Sequence, residues 1–313
     1  MSKSVLLKSS LAKKYWMALT GLFLCTFLIG HLLGNLQLFA GGEEGKRAFN
    51  EYGYFMSHNI FIKILSYVTY ISILFHAIDG FALAYQNKKA RPVNYAYNKP
   101  SANSSWASRS MALLGSAILI FICTHMANFW WKAKYSSTPM PLHTYMVYPP
   151  MTQNAEGEEM YLTIKGSAVP KSGVVVKNGT HLFLDTKAIE EQINEIKRTN
   201  PMQELPDVSK MNSIPELGEG YKDLHSLTVS FFGHNKEKEG FRANEYALVA
   251  VILYTLSMIV LGFHLWHGFS SAFQSLGMRH PKYTPLIKGL GRAFAVVVPA
   301  AFASIPIFLY LTK

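Results

Sequence analysis

The chain has 313 residues, half of them hydrophobic, only 16% charged, and carries a formal charge of +11. Soluble domains average roughly 25% charged residues. The low fraction here, with its long uncharged runs, excludes a soluble protein, a disulfide scaffold and a disordered tail. Cys25 and Cys123 both fall in apolar runs and read as small packing residues.

In chain order, Lys3, Lys8, Lys13 and Lys14 precede a first apolar run, 15–39, that contains no Asp, Glu, Lys or Arg. This run is longer than the core of a signal peptide, roughly 7–15 residues, and is expected to be retained as a helix. The second run, 61–86, contains only Lys63 and Asp79; runs 110–131, 246–278 and 293–312 are uncharged. Each is long enough to cross about 30 Å of hydrocarbon. The expected fold is an all-α integral membrane bundle of five transmembrane helices: helices I–III in 1–131, a loop or small subdomain in 132–242, and helices IV and V in 243–313. Pro299 and Pro306 are expected to interrupt helix V. In the long connection, Asn178-Gly179 between apolar runs signals a hairpin. The stretch 185–197 reads as a helix capped by Asp185 and stopped by Asn200-Pro201. Asn178-Gly-Thr180 also fits a glycosylation acceptor, a motif short enough to recur by chance.

Charge orients the chain. Thirteen bases and no acid lie before helix I, between II and III (Lys88, Lys89, Arg91, Lys99, Arg109) and between IV and V (Arg279, Lys282, Lys288, Arg292). The connections at the other side carry Glu43, Glu44 and Glu51 against Lys46 and Arg47, and a 132–245 stretch with 15 acids and 13 bases. Positive residues stay cytoplasmic, so the N-terminus is expected inside and the C-terminus outside. A positive charge divided among loops that flank membrane spans argues against nucleic-acid binding.

Four histidines, His31, His76, His125 and His264, fall one in each of four spans. An ionisable group in hydrocarbon is costly and faces the bundle interior with a partner. His31 lies about 25 Å, and His125 about 24 Å, from the inner helix ends. His76 lies about 17 Å and His264 about 20 Å from that side. They sort into an outer pair, His31 with His125, and an inner pair, His76 with His264. Opposed imidazoles at one depth suit six-coordinate haem iron and electron transfer. Gly30, Gly34, Gly80 and Gly268 offer room for a flat macrocycle. Lys13, Lys14, Trp106, Ser108 and Arg109 line the inner rim as partners for propionates, or as ordinary interface anchors. His267, three residues after His264, competes as the ligand of helix IV. Asp79 is a proton-relay group or a helix-packing residue. His58, His143, His181, His225, His234 and His280 lie outside the spans and read as solvated.

At these residues the chain resembles the cytochrome b membrane-anchor subunits of succinate dehydrogenase, in the single-chain, five-helix, di-haem class shared with fumarate reductases. The resemblance rests on Lys13-Lys-Tyr-Trp-Met-Ala-Leu-Thr-Gly21 running to Gly30-His31, on Leu74-Phe-His76-Ala-Ile-Asp-Gly80, on Thr124-His125-Met-Ala-Asn-Phe-Trp-Trp131, and on Gly262-Phe-His264-Leu-Trp-His-Gly268. It covers about 10–131 and 243–312 but not the bulk of the long connection. It implies two haem b groups, a proximal one on His76 and His264 and a distal one on His31 and His125. The glycine four residues after the fourth ligand then selects His264 over His267. It implies partner flavoprotein (FAD) and iron–sulfur subunits on the cytoplasmic side, and a quinone, menaquinone, reduced near the outer face of a bacterial cytoplasmic membrane. Glu51 and His58 are the candidates for quinone protonation. Some fumarate reductases place a glutamate two residues before the fourth ligand; here that residue is Gly262, so no such proton route is carried over. Two other readings stay open: an anchor for a different membrane dehydrogenase, and a haem-free transporter using intramembrane His and Asp79.

Overall fold

The computed structural model describes residues 10–90, 93, 99, 102, 104–135, 140–148, 157–200, 214–234 and 240–313. Lys3, Lys8, Arg91 and Pro201 of the sequence reading lie outside them.

The protein is mostly helical. Helix α1 (Ser10–Asn35) runs into a 3-10 turn at Leu36–Phe39, followed by α2 (Gly42–His58) and α3 (Ile60–Lys89). A short α4 (Trp106–Arg109) leads into α5 (Met111–Met126), a π-helical turn over Ala127–Trp131 and α6 (Lys132–Tyr135). Helices α7 (Thr186–Thr199) and α8 (Leu224–Phe232) follow among six strands, and α9 (Ala247–Ser275) and α10 (Thr284–Thr312) complete the described chain. Five of these bodies are long and apolar enough to cross a membrane: Leu11–Phe39, Ile60–Lys89, Met111–Tyr135, Ala247–Ser275 and Thr284–Thr312. This is the organisation of a multi-pass membrane protein.

The fifth span differs from expectation in two ways. The fifth begins at Thr284, nine residues before the uncharged run, because Lys288 and Arg292 sit within its first turns. It also passes unbroken through Pro299 and Pro306. Pro299 cannot donate to the carbonyl of Ala295. That oxygen faces α9, where a β-carbon on Gly262 would lie 3.0 Å from it. Gly262 is therefore the point at which α9 closes on a proline-freed carbonyl, and a larger residue there would drive the helices apart.

Helix α9 is central, packing on α1, α5, α8 and α10, while α1 also packs along α3. Lipid tails provide no hydrophobic drive between helices, so close approach of small residues holds such bundles together. Ala18, Ala247, Ala272 and Ala295 are buried at the helix contacts, and Gly291 sits under the ring of Phe269. Phe61, Val68, Ile71, Leu74 and Ile78 of α3 point outward, the surface a lipid-facing helix presents.

The connection between the third and fourth spans is ordered around two antiparallel three-stranded sheets: β1 (Thr144–Val147), β2 (Glu158–Leu162) and β3 (Ala168–Pro170), then β4 (Val174–Lys177), β5 (His181–Leu184) and β6 (Glu216–Glu219). Leu142, Tyr161, Val169 and Leu182 form their shared core. Asn178 and Gly179 take left-handed φ values of 52° and 83° at the β4–β5 turn, the hairpin that the sequence signals. Asp185 caps α7 by accepting from the amides of Lys187 and Ala188. Helix α8 then packs into the bundle, where Val229 and Phe232 share a core with Leu32, Leu38, Val251, Val298, Ile305 and Leu309.

A buried polar cluster fastens this unit to α2. Lys46 pairs with Asp223 at 3.2 Å and donates to the carbonyl of Thr144. The Asn50 amide reaches His143 Nδ1 and the Asp223 carboxylate, each at 2.9 Å, and its oxygen accepts from the amide of His225. His143 is 1% and His225 8% exposed, so both depart from the solvated reading. They sit where β1 and α8 press on α2, a contact between distant segments that local composition does not reveal.

Candidate functional site: two pairs of intramembrane histidines

The four span histidines stand as two facing pairs, each joining different helices. His31 of α1 meets His125 of α5 with ring centroids 5.9 Å apart and planes at 83°. His76 of α3 meets His264 of α9 at 6.2 Å and 67°. His267 enters no ring pair among the described residues, because its place three residues on turns it away from α3.

The depth of each pair follows from its contacts. His76 stands beside Thr20 and Gly21 of α1, ten to eleven residues before His31, which is about 16 Å along a helix. His264 stands beside Gly115 of α5, ten residues before His125, or about 15 Å. Two independent helices thus give the same spacing between layers.

The surroundings orient these rings. Thr20 Oγ1 lies 3.3 Å from His76 Nδ1 and also bonds the carbonyl of Trp16. Asn35 donates to the His31 carbonyl at 2.8 Å and lies 3.5 Å from its Nδ1. The Nδ1 atoms of His125 and His264 are buried and find no hydrogen-bond partner among the described residues. A buried polar nitrogen left unpaired is costly, and metal coordination would satisfy an imidazole nitrogen of that kind.

Whether haem fits can be judged from the pairs themselves. Two imidazole nitrogens on one metal at roughly 2 Å each set the ring centroids about 6 Å apart, close to both observed separations. The glycines that touch the rings are Gly21 and Gly115. A β-carbon on Gly21 would lie 3.1 Å from His76 Cε1, and one on Gly115 3.7 Å from His264 Cε1. Gly34, read from sequence as macrocycle space, instead faces the ring of Tyr52, which a β-carbon on Gly34 would meet at 2.6 Å; Gly30 faces open space, and Gly80 and Gly268 face methionine methyls.

The outer pair lies in an aromatic enclosure. His125 contacts Phe121, Phe129 and Tyr254, while His31 contacts Phe27 and Phe302. Phe231 and Phe232 of α8 reach Phe129 and Tyr254, so α8 closes this end of the bundle. The π turn begins two residues after His125 and sets the facing of Phe129. Tyr254 carried no signal in the sequence, since an aromatic residue in a span is ordinary, and Phe232 lies in the long connection rather than in a span.

The remaining candidates are dispersed. Trp106 packs on Phe263, next to His264, at the end of the bundle holding the inner pair. Ser108 takes part in capping α4 through Ser105, and Arg109 bonds the Ser104 carbonyl. Lys13 is half-buried and Lys14 exposed on the first turn of α1. Glu51 is held by Arg47 at 2.6 Å on the outer side of α2. His58 is exposed, stacked on Tyr54 at 3.9 Å, with Nδ1 against the Tyr54 carbonyl and Ser57. Asp79 is half-buried one turn beyond His76.

The chain matches no family model, no curated protein and no solved structure.

Proposed function

We propose that this chain is the di-haem b membrane anchor of a succinate dehydrogenase in a bacterial cytoplasmic membrane, serving as the quinone-reactive subunit beside flavoprotein and iron–sulfur partners. The observation that carries the reading is the arrangement of four histidines from four helices as two facing pairs, with centroids 5.9 and 6.2 Å apart and layers about 15 Å apart. Haem b bound at both levels would supply one-electron carriers at two depths, as an anchor between an iron–sulfur subunit and a quinone requires.

The chain's own part is positional. Four imidazoles hold the two levels, Thr20 and Asn35 orient His76 and His31, and Gly21 and Gly115 make room for the rings of the inner pair. Phe129, Phe232 and Tyr254 exclude water from the outer pair. The basic end, with Lys13, Lys14 and Arg109, faces the cytoplasm in this reading and receives the soluble subunits. The β-rich unit lies outside, at the end where menaquinone is reduced, with Glu51 and His58 on α2 as the candidates for quinone protonation.

A dithionite-reduced minus oxidised spectrum of the purified chain, with a haem count, tests the proposal. Two haem b per chain is the expected result. A colourless protein, or one holding metal without tetrapyrrole, overturns it.

A further inference from the structure

At the turn between α9 and α10 lies a cleft of about 600 Å³ whose walls include Arg279, Thr284, Lys288, Gly289 and Arg292. Three cations surround one concavity. No Asp or Glu occurs anywhere after Glu245, so no acid on α9, α10 or their turn can neutralise it. Among the described residues, Arg279 and Lys288 make no ion pair. Arg292 leans on the face of Trp266 at 5.6 Å, which holds the guanidinium at the cleft without consuming its charge. A β-carbon on Gly289 would meet nothing within 4 Å, so the wall is open at that point.

The cleft opens onto an apolar track. Lys288 and Arg292 share a helix face, and four residues further along it stands Val296, 56% exposed. A second narrow groove shares Thr284 and Lys288 with the cleft and continues over Phe273, Met278 and Ile287. Trp266, 43% exposed, lies against Arg292, the pairing of aromatic and basic groups found at membrane interfaces. Cations at headgroup depth above an exposed apolar helix face are complementary to an anionic diacyl phospholipid. A free anion would use the cations alone, and an acidic protein surface would leave the apolar track uncovered.

We infer that this cleft binds the phosphate of an anionic phospholipid, with Arg279, Lys288 and Arg292 as its ligands and the apolar face of α10 beneath its acyl chains. Basic pockets between transmembrane helices recognise such headgroups through the same charge attraction. The inference needs only that α9 and α10 span a membrane, and it stands apart from the haem proposal.

The test is titration of the purified full-length chain, in neutral detergent, with dioleoyl phosphatidylglycerol or dioleoyl phosphatidylcholine, counting bound lipids by native mass spectrometry. One saturable phosphatidylglycerol site is expected, with phosphatidylcholine much weaker and millimolar inorganic phosphate failing to displace the lipid. The triple variant Arg279→Gln, Lys288→Gln, Arg292→Gln should weaken that site on the order of 100-fold, the product of about fivefold per cation. Lys88→Gln, Lys89→Gln, Lys282→Gln removes the same charge outside the cleft and should leave the affinity within about threefold. If the triple variant does not fold, single Arg279→Gln and Lys288→Gln variants should each lose about fivefold. Equal losses in cleft and control variants, unchanged binding in the cleft variants, or displacement by phosphate would overturn the inference. So would cleft variants that keep the lipid but no longer assemble with soluble subunits, since the cations would then serve protein docking.

Discussion

Gly21 and His76 are in direct apposition: a β-carbon on Gly21 would stand 3.1 Å from His76 Cε1, closer than nearly all ordinary side-chain contacts. One helix thus yields its surface to an imidazole on another. At the same turn Thr20 lies 3.3 Å from the Nδ1 of that ring, so α1 both makes room for His76 and aims it.

Enlarging that glycine should act on one level only. Gly21→Leu is expected to push the His76 ring out of line with His264 and reduce haem from two per chain to one, measured as pyridine haemochrome per mole of protein. Gly30→Leu, whose β-carbon position is open, should retain both. Equal loss in the two variants would show a general packing defect.

The ligand choice on α9 is separable by substitution. Because only His264 faces His76, His264→Ala should remove the low-spin haem b signal that His76→Ala also removes. His31→Ala and His125→Ala should remove the other signal, and His267→Ala neither. Electron paramagnetic resonance of the oxidised protein distinguishes the two signals, and full retention in any one of the four would exclude that residue as a ligand.

The buried pair of Lys46 and Asp223 should be costly to break from one side. Lys46→Met leaves the Asp223 carboxylate buried with Asn50 and the Ser226 amide but without its cation. A half-removed buried ion pair typically costs about 3–5 kcal/mol. The β-rich unit should then separate from α2, seen as faster proteolysis within 140–234. Lys46→Met with Asp223→Asn should restore part of the loss. A double variant as weak as the sum of both singles would show that the two groups act independently.

The spans were legible because hydrocarbon thickness imposes length and excludes charge. The hairpin at Asn178-Gly179 and the cap at Asp185 were legible because each is a local rule satisfied within four residues. Counting residues along the spans pairs His31 with His125 and His76 with His264, and the rings stand in those pairs, since rise per residue converts sequence into depth. Lateral neighbours obey no such rule. Gly34 looked like space for a macrocycle but receives Tyr52, a residue 18 positions away on a helix that the sequence presented as a short loop. Gly21 and Gly115 resembled any other intramembrane glycine until their facing helices were known. His143 and His225 looked solvated because their burial comes from segments about 90 and 175 residues distant, brought together through Asn50. The continuous fifth span shows the same limit: Pro299 reads as a break until Gly262 on the neighbouring helix is placed against the carbonyl it frees.

The seating of the β-rich unit should depend on pH through His143. Burial, reinforced by the neighbouring Lys46 cation, lowers His143 from 6.5 to about 4. In the released unit the imidazole regains its ordinary value, so between these limits the released form binds more protons. A depressed histidine pKa contributes stability that is fully present above about pH 6.5 and is lost as pH falls towards 4, by about 1.4 kcal/mol per pH unit and about 3 kcal/mol in all. The surface pair of His181 and Glu216 acts in the opposite sense, since hydrogen bonding to Glu216 raises His181, but it lies in solvent and contributes little. Amide hydrogen exchange over Thr144–Val147, corrected for the intrinsic rate, should therefore show falling protection from pH 6.5 to 4. His143→Gln, which keeps a polar group against Asn50 without a titrating ring, should flatten that dependence. A wild-type profile that is already flat would mean that His143 protonates without leaving its site.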